Sequence, residues 1–169
     1  MQKLFPYIVH DFVPQADVPW NLTMVNVASF HAKTKGGGAV VAVVDTGLDV
    51  NHPDFAGRII NPRNFTREGA NTDVTDVKGH GSHVAGIVGG AKTGIAPECR
   101  IMPLKVFGEA DGFQFQNAFR FMVEWNKTAP EQDRIVAVNC SWGGAYDPLI
   151  HYFIRKLNEQ GAVVVASAG

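Results

Sequence analysis

Two residues of the chain have the types and spacing that acid–base chemistry needs. Asp45 closes a continuous apolar run, AVVAVVD over residues 39–45, and is followed by Thr46-Gly47. A carboxylate at the end of a buried strand loses its hydration unless a cation or hydrogen-bond donors hold it. Alone, such an Asp can do no more than cap the following turn. His80 lies thirty-five residues further on, inside Gly79-His80-Gly81-Ser82-His83-Val84-Ala85-Gly86. The flanking glycines allow close backbone approach, and the apolar residues after them predict that His80 opens a buried helix. A lone His there is commonly a packing or capping residue. Paired with Asp45, it suits a general base with an orienting carboxylate, the arrangement that activates a hydroxyl nucleophile. His80 and His83, three apart on a helix, also have a metal-ligand spacing. No third ligand stands where it would complete such a site.

These residues need elements to position them. The β-branched run ending at Asp45 predicts a strand buried on both faces, which implies a parallel sheet. A short helix is expected over Asn21–Lys35, closed by Gly36-Gly37-Gly38, and residues 48–78 read mostly as loop. A helix from His80, a strand over 100–106, a helix over 113–126, a strand over 135–139, a helix over 149–160 and a strand over 162–166 follow. Strands alternating with crossover helices predict an α/β fold, an open, mainly parallel sheet flanked by helices. Sites in such folds form at the C-terminal ends of the strands. The final strand is apolar and is expected to lie in the interior.

Composition narrows the function classes. The 169 residues are 46% hydrophobic and 18% charged, which suits a globular domain and excludes a disordered tail. A net charge of −1 argues against nucleic acid or an anionic membrane as partner. Cys99 and Cys140 are too few for a disulfide framework and read as idle thiols. The first residues, MQKLFPYIVHDF, show neither the apolar core nor the cleavage site of a secretory signal. No stretch approaches the roughly eighteen apolar residues of a membrane span. A cytoplasmic location is therefore expected.

Taken in order, several segments resemble those of subtilisin-like serine proteases. VVAVVDTGLDVNHPDF is similar to their Asp motif, and GHGSHVAGIV to their His motif. Asn139-Cys140-Ser141-Trp142-Gly143-Gly144 resembles their substrate-binding segment, and AVVVASAG the strand leading to the oxyanion-hole Asn. Pro97 in GIAP and the run LKVF (104–107) follow the same family. The resemblance implies a subtilisin-like sheet, with Asp45 and His80 as catalytic residues of an Asp-His-Ser triad acting on a polypeptide substrate. It implies one cleft wall at Ser141, Trp142 and Gly143 and the other at Gly112, Phe113 and Gln114, with the substrate strand between them. Phe113 and Trp142 are both larger than the residues usual there.

Leu4-Phe5-Pro6-Tyr7 resembles the short propeptide motif of bacterial intracellular subtilisins, which implies an inhibitory extension over residues 1–18 ahead of the peptidase domain at 19–169. Such an arm would block the cleft until processed. No cofactor is required for catalysis on this reading. A structural calcium is expected, if at all, in a C-terminal part outside these residues and not at Asp54, because the loop after the His helix (89–94) is short and lacks the oxygens calcium needs. Ser82, Ser141 and Ser167 lack the setting of the family's nucleophile. The expected partner is thus a Ser-bearing C-terminal fragment of the same protease, and a homodimer is left open. Two other readings exist: a non-catalytic peptide-binding module of the same fold, and an aspartic protease suggested by the Asp-Thr-Gly at 45–47. The second leaves the His segment and the α/β pattern unexplained.

Overall fold

The computed structural model describes residues 19–168, so the arm assigned to residues 1–18, with Leu4, Phe5, Pro6 and Tyr7, lies outside the described residues. Five parallel strands form one sheet: β1 (Val40–Asp45), β2 (Arg63–Asn64), β3 (Arg100–Lys105), β4 (Ile135–Cys140) and β5 (Val163–Ala166), in the order β2-β3-β1-β4-β5. The first strand is central because its residues can be buried on both sides, and it is almost wholly enclosed.

Side chains alternate along β1, and the alternation decides where Asp45 points. Val40, Ala42 and Val44 pack into the larger core, beside Phe119, Met122 and Leu157 of the helices α4 (Gln114–Thr128) and α5 (Pro148–Glu159). Val43 joins the smaller core with Val84 and Ala85 of α3 (His80–Gly89). Asp45 shares the face of Val43 and therefore emerges on the α3 side. Consecutive crossovers leave β1 with β3 on one flank and β4 on the other, which makes its C-terminal end the switch point of the sheet.

The expected single helix over 21–35 is instead two short ones, α1 (Trp20–Met24) and α2 (Val27–His31). Asn26 between them adopts a left-handed conformation (φ 52°), which no helix can carry through. The loop over 48–78 contains the two-residue strand β2, too short to leave a periodic signal in the sequence. The last strand is also placed differently from expectation. It forms an edge, and Val163 and Val165 are exposed. Among the described residues no helix is long and apolar enough to cross a membrane.

Polar anchors fix the frame. The guanidinium of Arg58 donates to the carbonyls of Gly89 (2.6 Å), Cys99 (2.8 Å) and Asp54, joining the loop after β1, the end of α3 and the start of β3. Buried Asn126 of α4 exchanges two hydrogen bonds with the backbone of Ile135 and sets where β4 begins.

Candidate active site

Asp45 is 1% exposed, at the C-terminal end of β1. Its Oδ1 accepts the backbone N–H of Thr46 at 2.7 Å and lies 2.7 Å from Nδ1 of His80, the first residue of α3. An imidazole carrying its proton on Nδ1 donates to that oxygen and turns Nε2 away from it. The His80 side chain is 52% exposed, so its outer edge meets solvent while the inner edge is held. The second carboxylate oxygen, Oδ2, is buried and has no partner among the described residues.

Two glycines allow the helix end to come this close. A Cβ at Gly81 would overlap the carbonyl oxygen of Gly47, and one at Gly47, where φ is 126°, would overlap that of Val74. The turn after β1 and the first turn of α3 thus lie backbone against backbone.

Asp76 and Thr46 were not apparent as site residues in the sequence. Asp76 sits in the loop before α3 and accepts hydrogen bonds from Thr46, Lys78, Gly79 and Ser82. Its partial burial pushes the carboxyl up, but the bonds from Ser82, Thr46 and Gly79 outweigh that and hold it below the usual carboxylate range. No local sequence signal marks it, because it stands ahead of the cap position, Gly79, and outside the first turn of α3. Lys105, in register beside Asp45, buries its ammonium against Glu68 (3.3 Å) and the carbonyl of Thr75 (3.1 Å).

The segments assigned as cleft walls lie at the same end of the sheet. Ser141 accepts from the amide of Asn139 at 3.0 Å, Gly143 is exposed, and the indole N–H of Trp142 donates to the Val44 carbonyl at 2.7 Å. Gly112 and Phe113 are exposed and Gln114 begins α4. An aromatic cluster joins the two walls: Trp142 meets Phe115 at 4.9 Å and Phe107 at 6.2 Å between ring centroids, and Phe107 meets Phe115 at 5.3 Å. Trp142 therefore packs inward, while Phe113 stays 63% exposed. Of the serines, Ser29 binds the Asn26 carbonyl, Ser82 is engaged by Asp76, and Ser141 faces Asn139. Among the described residues, no serine hydroxyl is hydrogen-bonded to His80.

His83 stands three residues after His80 on α3. Among the described residues, no three His, Cys, Asp or Glu side chains stand together as metal ligands. At Asp54 the backbone N–H donates to Nδ1 of His52 at 3.2 Å, and the backbone carbonyl is taken by Arg58.

A buried Asp thus holds a half-exposed His between the C-terminal end of β1 and the start of α3. The profile of the Subtilase family matches residues 36–169. The chain belongs to the subtilase family. Among its relatives, the major intracellular serine protease of Bacillus subtilis (strain 168) is 30% identical over 177 residues, 99% of this chain and 54% of that protein. An intracellular serine protease of Paenibacillus polymyxa is 32% identical over 161 residues, 90% of this chain and 48% of that one. The crystal structure of a cold adapted subtilisin-like serine proteinase superposes with a TM-score of 0.67 at 25% identity, covering 81% of this chain and 48% of that one. This subtilase chain thus spans about half the length of the two relatives.

Proposed function

We propose that this subtilase chain supplies the Asp and His of an Asp-His-Ser triad in a serine endopeptidase. The observation that carries the reading is the 2.7 Å contact between His80 Nδ1 and Asp45 Oδ1, with the far edge of the ring left open. In the proposed reaction a serine hydroxyl attacks the scissile carbonyl carbon while His80 Nε2 takes its proton. The tetrahedral adduct collapses, the C–N bond breaks, and His80 returns the proton to the departing amine. Water then repeats the sequence on the acyl-enzyme. Asp45 fixes the tautomer and stabilises the imidazolium that forms in each step.

The nucleophile, on this reading, comes from a segment outside these 169 residues. The uncovered apolar side chains Val163 and Val165 on edge strand β5 support such a segment. A polypeptide substrate would lie as an added strand between 112–114 and 141–143, and residues 1–18 would occupy that cleft until processed. No metal is assigned to Asp54, because the short loop at 89–94 lacks the further oxygens that calcium needs. A cytoplasmic setting accords with the intracellular relatives.

The test combines the chain with the nucleophile-bearing segment and measures peptide hydrolysis and labelling by a serine-directed fluorophosphonate. His80→Ala is expected to cost on the order of 10⁴-fold or more in turnover. Retained hydrolysis in that variant would refute the assignment. Deleting residues 1–7 is expected to raise activity, and identical progress curves would remove the inhibitory role.

A further inference from the structure

We propose that Asp76 is the positioning residue of the Asp45–His80 pair, acting through the Thr46 hydroxyl to lock the turn after β1 onto the first turn of α3. The inference rests on the reading of that pair as catalytic. Asp76 itself touches neither partner.

Its carboxylate gathers donors from both elements. Oδ1 accepts the Thr46 hydroxyl at 2.8 Å and the backbone N–H groups of Lys78 (3.1 Å) and Gly79 (2.9 Å). Oδ2 accepts both the N–H and the hydroxyl of Ser82 at 2.8 Å. A carboxylate is an acceptor only, so the Thr46 hydroxyl must spend its one proton on Asp76. A lone pair of that oxygen is then free to receive the N–H of Gly81, which lies 2.9 Å away.

A closed ring results. Thr46 donates its backbone N–H to Asp45 Oδ1 and takes the N–H of Gly81 on its hydroxyl. Gly81 follows His80, whose ring returns to Asp45 Oδ1. A second tie runs through Ser82, whose Oγ accepts the N–H of Asp49 while donating to Asp76. Every hydroxyl orientation in the ring is set by the carboxylate at its edge. An ordinary helix cap would need only the Ser82 contact. The contact to Thr46, thirty residues away in the chain, couples the cap to β1.

The experiment reads the pair's geometry rather than stability. Ring ¹⁵N shifts of His80 on the neutral imidazole distinguish a proton on Nδ1 from one on Nε2. They are measured on the 169-residue chain, with thermal melts by circular dichroism alongside. The unaltered chain should show predominantly the Nδ1–H form. Asp76→Asn and Thr46→Val should shift the ring towards a tautomer mixture, and Thr46→Ser, which keeps the hydroxyl, should restore the original shifts. In the complemented enzyme the same two variants should lower kcat on the order of ten- to a hundredfold with KM nearly unchanged.

If Asp76→Asn fails to fold, the Thr46 variants decide the question, because they leave the Asp76 bonds to Lys78, Gly79 and Ser82 in place and alter only the hydroxyl that joins Asp76 to Gly81. Unchanged shifts in Thr46→Val would overturn the proposal, as would Thr46→Ser behaving like Thr46→Val. A chain that shows these shifts but never hydrolyses a peptide removes the proposed function and leaves the positioning role standing. A tautomer mixture in the unaltered chain would remove both.

Discussion

Cys140 ends β4 beside the buried carboxylate, and its surroundings show how Asp45 conditions its neighbours. Burial first, and then the charge of Asp45, push the thiol up to about 12, while burial raises Cys99 as well. The reactive species is the thiolate, so both cysteines should resist iodoacetamide at pH 8 in the folded chain and react once it is unfolded in urea. Mass spectrometry of the labelled chain checks this, and alkylation of Cys140 under native conditions would contradict its enclosure. Asp76 carries a pH dependence of defined sign. Its folded pKa lies below its ordinary value of 3.8, so the unfolded state binds a proton first as the solution is acidified. The stabilisation is present above that value and is lost as pH falls through the folded pKa. Asp76→Asn should therefore flatten the acid limb of a melting-temperature profile below about pH 4, read by calorimetry. An acid limb as steep as that of the unaltered chain would show that the carboxylate's bonds are not what stabilises it.

Arg58 shows how three elements are held by one side chain. Its guanidinium donates to carbonyls from the loop at Asp54, the end of α3 at Gly89 and the start of β3 at Cys99. Hydrogen bonds from a charged group contribute about 1.5–3 kcal/mol, and removal also leaves buried acceptors unpaired. Arg58→Ala is expected to lower stability by about 2–4 kcal/mol, and Arg58→Lys to recover little, since an ammonium lacks the planar fork. Urea denaturation with both variants measures the difference. This anchor was not legible in the sequence, because its partners are backbone atoms drawn from distant segments. The elements themselves were, where a single local signal sufficed. The apolar β-branched run marked β1, and the helix expected over 149–160 is α5, which begins one residue earlier at Pro148, where Asp147 accepts from Leu149 and Ile150. Asn26 and β2 escaped because a one-residue change of handedness and a two-residue strand leave no periodicity. Asp45 and His80 were legible as a pair through their settings, whereas Asp76 was hidden in a polar loop whose residues all looked alike as donors and acceptors.

The whole molecule is asymmetric about its sheet. The face towards α4 and α5 holds the larger core, but on the opposite face α3 covers the sheet only as far as β1. Along β5, Ala162 and Val164 pack into the larger core, so Val163 and Val165 point the other way, where they are 61% and 56% exposed. The outer backbone of β5 is also an edge that can pair with a further strand. These features expose apolar surface and open hydrogen-bonding groups together, a combination that favours an added layer of the same chain family over a soluble ligand. If a nucleophile-bearing segment of the subtilase covers this face, burying the two valines contributes about 3–6 kcal/mol to its docking. Replacing both with lysine should then abolish complementation, because each ammonium would have to be desolvated on docking. The same replacements should leave the melting temperature of the 169-residue chain nearly unchanged, since both side chains already face solvent there. Size-exclusion chromatography with light scattering, run beside the fluorophosphonate assay, separates the outcomes. Complementation that survives the double replacement would place the segment elsewhere, and a fall in the chain's own mass from dimer to monomer would show that a second copy uses this face instead.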